Sequence, residues 1–437
     1  MPTTIFVPLS RKVLLLREPL LNIREYIMRF LTSFVLLFFL LRVSVNAQNP
    51  TSTEPYFPGI WGEWEMLSPA AAGFDSVKLQ EAIDFAISME SDNPRNMEIN
   101  HYGSFGREPF GDGIGPFKSR GEMTGIILKN GYIVAEWGEP FRVDMTHSVT
   151  KSFLSSIVGL AWDAGLIKDV QDPVASYMGP VLVIDDIYNR DKGAQVGEAH
   201  FIEPFQSEHN AAITWEHLLQ QTSDWEGTLF GKPDWADRPS GERRDWITRE
   251  RHAPGSVWEY NDVRVNLLAL AALNVWRQPL PQVLKEHFMD KIGASPTWRW
   301  HGYENSWVLI DGEQMQSVSG GGHWGGGMFI SARDQARFGL LTLREGSWKE
   351  EQILSKEWIS MSKSPTQARP NYGYMNFFLN HEQEAMPSAP ESAFWHLGAG
   401  NNMVYVDPEN DLVIVARWIQ GAGMNGLIER LIAAIEE

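Results

Sequence analysis

Cysteine is absent from the 437-residue chain, which removes disulfides, thiolate chemistry and Cys-ligated zinc or iron–sulfur sites from consideration. Positive charge is scarce: 37 Lys and Arg stand against 55 Asp and Glu, a formal net charge of −18. Residues 1–47 hold six Lys/Arg and two Asp/Glu, so setting aside their net +4 leaves about −22 on the remainder. A surface of that sign repels phosphate backbones, which argues against nucleic acid as a partner. Two familiar catalytic patterns are also missing. Without Gly-x-Ser-x-Gly the chain does not read as an α/β-hydrolase, and without His-Glu-x-x-His the histidines, including His217 and His323, read as structural rather than as metal ligands.

Long hydrophobic runs are lacking too. The apolar stretch Phe34 to Leu41 falls far below the roughly 20 residues that a spanning helix needs. It follows Met28-Arg29 and precedes Val45-Asn46-Ala47, a small-residue cleavage pattern. Residues 1–47 therefore read as an upstream extension plus a secretory signal peptide. The expected mature chain starts near Gln48, is secreted or periplasmic, and keeps no stable membrane span.

What is present is ordinary globular composition, 43% hydrophobic with 18 tryptophans, enough for one large domain or two intimate ones. Residues 48–122 lead in, with helical spacing of Leu79, Ala82, Ile83 and Ala86 over Ser76 to Met89. Two strand-like runs, Gly125 to Lys129 and Tyr132 to Trp137, flank Asn130-Gly131, a strong hairpin signal. From about 165 to 320 the pattern is mainly helical, with Thr214 and Asp262 as plausible N-caps. Strands return at Met403 to Val406 and Leu412 to Trp418, and a final helix fits Asn425 to Ile435. Strands at both ends with helices between them predict an α+β fold, an antiparallel sheet flanked by helices with a mainly helical insertion.

The chemistry concentrates at Ser148-Val149-Thr150-Lys151. If this segment is helical, residues three apart share a face, and the lysine amine can reach the serine hydroxyl it would deprotonate. Ser360-Met361-Ser362-Lys363 repeats the pattern, so context must choose between them. Downstream of Ser148, Pro254-Gly255 leads to Tyr260-Asn261-Asp262. Further on, His396-Leu397-Gly398-Ala399 precedes the last strands, where glycine allows close backbone approach. Ser360 lies after the tyrosine element, so only Ser148 stands ahead of both.

Ser-x-x-Lys, a tyrosine element about 110 residues later and His-x-Gly before the final strands resemble the serine β-lactamase and penicillin-binding-protein superfamily. The run Gly325-Gly326-Gly327 to Arg333-Asp334 and Phe338-Gly339 is similar to the class C-like branch of family VIII esterases, D-aminopeptidases and 6-aminohexanoate-dimer hydrolases. The likeness covers about Met123 to the C-terminus, which sets a catalytic domain at 123–437. It implies Ser148 as nucleophile, Lys151 as its proton acceptor and Tyr260 as general base and acid toward the leaving group. It also implies that His396 takes the place of the lysine in Lys-Thr-Gly, that Gly398 allows close approach, and that the N–H groups of Ser148 and Ala399 form an oxyanion hole. No cofactor or metal is implied.

Two departures shift the expected substrate. Asp262 stands where the branch has the asparagine of Tyr-x-Asn, so either Asn261 substitutes or Asp262 meets an amine or hydroxyl of the substrate. A histidine in the Lys-Thr-Gly place offers a weaker, pH-dependent charge to a β-lactam carboxylate. Ser91-Asp92-Asn93 copies a β-lactamase triplet in the wrong order, and Gly320 to Gly327 lacks the residues of a phosphate loop and reads as a structural turn. The expectation is a serine hydrolase that cleaves a small ester, amide or short peptide through an acyl-enzyme, with loops such as Trp225 to Trp235 selecting the substrate. The alternative is a catalytically idle module that binds peptidoglycan fragments or a protein.

Overall fold

The hairpin forms where Asn130-Gly131 places it. In a computed structural model, which describes residues 55–184, 199–242 and 245–436, β1 (Thr124–Lys129) and β2 (Tyr132–Trp137) pair antiparallel with Lys129 opposite Tyr132. Asn130 and Gly131 take φ of 54° and 86°, the left-handed pair that a tight two-residue hairpin turn requires. The signal-peptide reading and the Gln48 start lie outside the described residues. Among those residues no helix is long and apolar enough to cross a membrane.

Four strands from the far end of the chain complete the sheet: β3 (Phe378–Leu379), β4 (Phe394–Gly398), β5 (Asn402–Asp407) and β6 (Leu412–Arg417). The order is β3-β4-β5-β6-β1-β2, all antiparallel, with Thr124 of β1 opposite Arg417 of β6. Because successive side chains point to opposite faces, β5 and β6 feed two cores. Val404, Val406, Val413 and Val415 enter one, while Met403, Tyr405, Ile414 and Ala416 enter the other. The second core is closed by α1 (Ser76–Ser88), through Leu79, Ala82, Ile83 and Ala86, and by α5 (Gly421–Ala433), through Leu427, Ile428 and Leu431. The last helix thus begins at Gly421, earlier than expected, because its three glycines hide the helical pattern.

On the first face lie α2 (Thr150–Asp163), α3 (Asp262–Trp276) and α4 (Ala332–Leu343). The segment from 165 to 320 is mixed rather than mainly helical. It supplies α3 but also strands Val181–Ile184, Ala199–Ile202, Arg299–Ile310 and Glu313–Val318, which join Asp144–Met145 and Gly327–Ile330 in a second sheet. Residues 52–437 cluster as one unit, and α1 of the leading segment packs on α5 at the other end of the chain.

Two local details set the site. A short 3-10 turn, His147–Val149, precedes α2 and packs against β4. Asn261, not Asp262, caps α3, its side chain accepting from the Val263 and Arg264 N–H groups. The Asp262 side chain is left for another use.

Candidate active site

Ser148 sits in the turn ahead of α2 and Lys151 in the first turn of that helix, so the two side chains meet as the spacing predicts. Lys151 Nζ lies 2.8 Å from Ser148 Oγ and 2.6 Å from Asp262 Oδ1. Lys151 is fully buried. Burial depresses its pKa below the usual lysine value and Arg238 adds to this, while Asp262 opposes both. Tyr260, on the loop that enters α3, lines the same cleft as Ser148, and Lys151 Nζ lies 4.6 Å from its ring centre. Burial and the Asp262 charge push the phenol pKa up, so the hydroxyl keeps its proton at neutral pH.

Behind this trio lies a buried charge network. Asp262 Oδ2 is 2.8 Å from Arg238 Nη1 and 3.4 Å from His323 Nδ1. Asp237 accepts the Asp262 N–H and lies 2.6 Å from Arg238. His323 Nε2 contacts Glu108 at 2.7 Å. Burial would raise the Asp262 pKa, but Lys151, Arg238 and His323 outweigh it and hold the carboxyl well below its ordinary range. Burial would lower His323, yet Asp237, Asp262 and Glu108 keep its pKa above the usual histidine value. The donor atoms of Glu108, Asp237 and His323 lie within 4.8 Å of one another, a spacing that a metal ion could share. Arg238 already supplies positive charge there.

The cleft in front of Ser148 has a volume of about 250 Å³ and is lined by Ser148, Tyr260, Arg238 and His323 together with the apolar Phe105, Phe378 and Leu397. Gly398 and Ala399 line it from the end of β4. A Cβ at Gly398 would fall 2.1 Å from Thr146 O and 3.1 Å from Ser148 N, so only glycine lets β4 lie this close to the nucleophile turn. Asn376 holds the same two elements together. Its Nδ2 donates to the carbonyls of Ser148 at 2.8 Å and Leu397 at 2.9 Å.

Two expectations fail here. Asp262 does not face substrate: it is 1% exposed, engaged with Lys151, Arg238 and His323, and absent from the cleft wall. Asn261 does not substitute, being consumed as the helix cap. His396 is the second correction. It lies fully buried among Phe338, Phe377 and Phe394, with ring centres 4.9, 4.6 and 5.8 Å away, and burial lowers its pKa to about 3. It offers no cation to a ligand, because β4 turns His396 inward and Leu397 toward the cleft. Arg238 brings a guanidinium to the cleft wall instead.

His396 has a separate consequence for stability. The unfolded chain takes up a proton at this position below about pH 6.5, while the folded ring stays neutral down to about 3. Stability therefore falls as pH drops through that window, at roughly 1.4 kcal/mol per pH unit fully within it. His147, lowered to about 4 chiefly by burial, adds over the upper part of the window. His396→Leu is expected to flatten the fall in melting temperature between pH 7 and pH 4.5, measured by calorimetry. An unchanged slope would rule out His396 as a source of acid lability.

The other sequence candidates fall away from the cleft. Ser360 is exposed near the end of a helix, Lys356–Ser362, and Lys363 lies over the Phe394 ring. Ser91 and Asn93 contact Arg120 through their carbonyls, and His217 completes a capping box with Thr214.

A family model for β-lactamases matches residues 145–418, a span that contains every residue of the trio. The chain belongs to the β-lactamase family. It is a serine hydrolase of β-lactamase-related type. No curated protein matches its sequence. Among solved structures, a β-lactamase from Mycobacterium bovis overlaps with a TM-score of 0.45 at 17% identity, covering 72% of this chain and 93% of the other. EstCE1, a hydrolase with promiscuous acyltransferase activity, gives 0.49 at 14%, covering 83% and 99%. An octameric penicillin-binding protein homologue from Pyrococcus abyssi gives 0.45 at 15%, covering 68% and 70%. Within the β-lactamase family frame, the residues that sequence reading missed are Arg238, Asp237, Glu108, Asn376 and the site role of His323. None sits in a motif, and only the three-dimensional packing brings them to Ser148.

Proposed function

We propose that the protein cleaves an ester or amide bond of a small molecule or short peptide through an acyl-enzyme on Ser148. The observation that carries this is the 2.8 Å contact of Lys151 Nζ with Ser148 Oγ behind a cleft that Ser148 and Tyr260 both line. Lys151, with its basicity reduced by burial, takes the Ser148 proton as Oγ bonds to the substrate carbonyl carbon. The N–H groups of Ser148 and Ala399 hold the oxyanion, each contributing a few kcal/mol to the transition state. Tyr260, kept neutral, gives its proton to the leaving alcohol or amine and recovers one from Lys151. Water then attacks the acyl carbon along the reverse proton path and frees the acid.

The apolar cleft walls and the Arg238 head suit a compact acyl group better than a long polymer. The leader-like residues 1–47 support action outside the cytoplasm, in the periplasm or the medium. The test is covalent trapping. After a brief reaction with p-nitrophenyl butyrate and an acid quench, intact mass should show one butyryl group per chain, which peptide mapping should place on Ser148. Sustained turnover with the acyl group on another residue, or with none trapped at any quench time, would refute the acyl-enzyme.

A further inference from the structure

Asp262 poses a difficulty for the chemistry just proposed. A carboxylate 2.6 Å from Lys151 Nζ, with both groups buried, favours the protonated amine, and a protonated amine cannot accept the Ser148 proton. The structure answers with a second ion pair on the opposite carboxylate oxygen. Arg238 Nη1 stands 2.8 Å from Oδ2, and its guanidinium lies 5.0 Å over the Tyr260 ring and 5.3 Å over that of Phe105. Asp237 fixes both partners at once, binding Arg238 and accepting the Asp262 N–H. One carboxylate thus serves two cations, with His323 at 3.4 Å as a third, weaker contact.

We propose that Arg238 is a positioning residue, the charge partner of Asp262, and that together they replace the neutral amide of the Tyr-x-Asn pattern while leaving Lys151 able to accept a proton. The inference rests on the Ser148 reading for its kinetic arm only. Around Lys151 the titratable and charged groups are His147 beside Ser148, Tyr260 and Asp262 at the start of α3, Arg238 on the 234–238 segment and Tyr372 near Asn376; His323, Asp237 and Glu108 act through Asp262 and Arg238. Arg238 lowers the Lys151 pKa and Asp262 raises it, so their removal should move the acid limb of activity in opposite directions.

The experiment compares wild type, Arg238→Gln, Asp262→Asn and the double variant, reading kcat/KM for p-nitrophenyl butyrate against pH and the melting temperature of each. Arg238→Gln should shift the acid limb upward by about one pH unit or more, the size of shift a close charge produces, and lower activity about tenfold at pH values on the limb. Asp262→Asn should shift the limb downward and lower the melting temperature, since Arg238 and Lys151 lose their shared anion. The double variant should bring the limb back toward wild type and melt higher than the sum of the single losses allows. Arg238→Lys, which keeps the charge, should hold the limb near its wild-type position and covers the case of an Arg238→Gln protein that does not fold. A raised KM with an unmoved limb would make Arg238 a substrate contact and overturn the proposal. The melting cycle needs no turnover, so it still decides if the Ser148 reading fails: strictly additive losses would overturn the pairing.

Discussion

Ser148→Ala is expected to cut turnover of p-nitrophenyl butyrate by roughly 10⁴-fold or more, in line with removal of a nucleophile that works as one unit with its base. Ser148 Oγ accepts from Lys151 Nζ at 2.8 Å and lines the cleft beside Tyr260. Without it the oxyanion donors and the cleft still bind substrate, so KM should change far less than kcat. The melting temperature should stay within a few degrees, because serine and alanine differ by one oxygen and the backbone hydrogen bond from Asn376 to the Ser148 carbonyl remains. Ser360→Ala is the matched control. That serine is exposed and belongs to a different helix, so activity should not move. Full turnover by Ser148→Ala, with wild type active, would remove Ser148 from the reaction whatever the fold.

These side chains show how far a linear reading reaches. Asn130-Gly131 specified the hairpin because both residues tolerate positive φ, a property of the residues themselves. Ser148 and Lys151 were legible because three residues on a helical turn define a face. Asp262 was not, since Asn261 and Asp262 are both competent caps. Asn261 takes the cap, and the carboxylate is claimed by Lys151, more than a hundred positions away in sequence. His396 was read as lying just ahead of the last strands and facing substrate, whereas it belongs to β4 and points away from the cleft. Alternation along β4 puts Leu397 at the cleft and turns His396 in among Phe377 and Phe394, a register that a five-residue strand does not reveal alone. Arg238, His323 and Glu108 come from three separate segments, and nothing local marks them as partners. The second sheet escaped notice because its longest strand, Arg299–Ile310, is broken by glycine and polar residues and carries a register shift between Gly302 and Trp307.

Gly321→Ala should disable the enzyme through the same ion pair, without changing the chemical identity of any group that reacts. Gly321 belongs to the glycine-rich turn between the strands Glu313–Val318 and Gly327–Ile330, and a Cβ there would lie 1.9 Å from Asp262 Oδ1 and 2.3 Å from Lys151 Nζ. Neither atom has room to retreat. Asp262 is held on its other oxygen by Arg238, and Lys151 is fully buried beneath the turn. The added methyl must therefore separate Lys151 from Asp262, move Nζ away from Ser148 Oγ, or lift the turn. A displacement of about 1 Å between reacting groups costs on the order of 100-fold, and separating a buried ion pair costs stability as well, by about 3–5 kcal/mol where a partner is lost outright. The expected result is a fall in kcat/KM of about 100-fold or more, slower acylation of Ser148 by the butyrate ester, and a lower melting temperature. Gly322→Ala, in the same turn, is the informative comparison. Its Cβ would meet nothing closer than 3.2 Å, so its cost should come from the left-handed backbone, φ 70°, and appear in stability rather than in acylation. If both variants lose stability but acylate Ser148 at the wild-type rate, the turn is a structural feature and the packing of Gly321 on the Lys151–Asp262 pair has no part in catalysis.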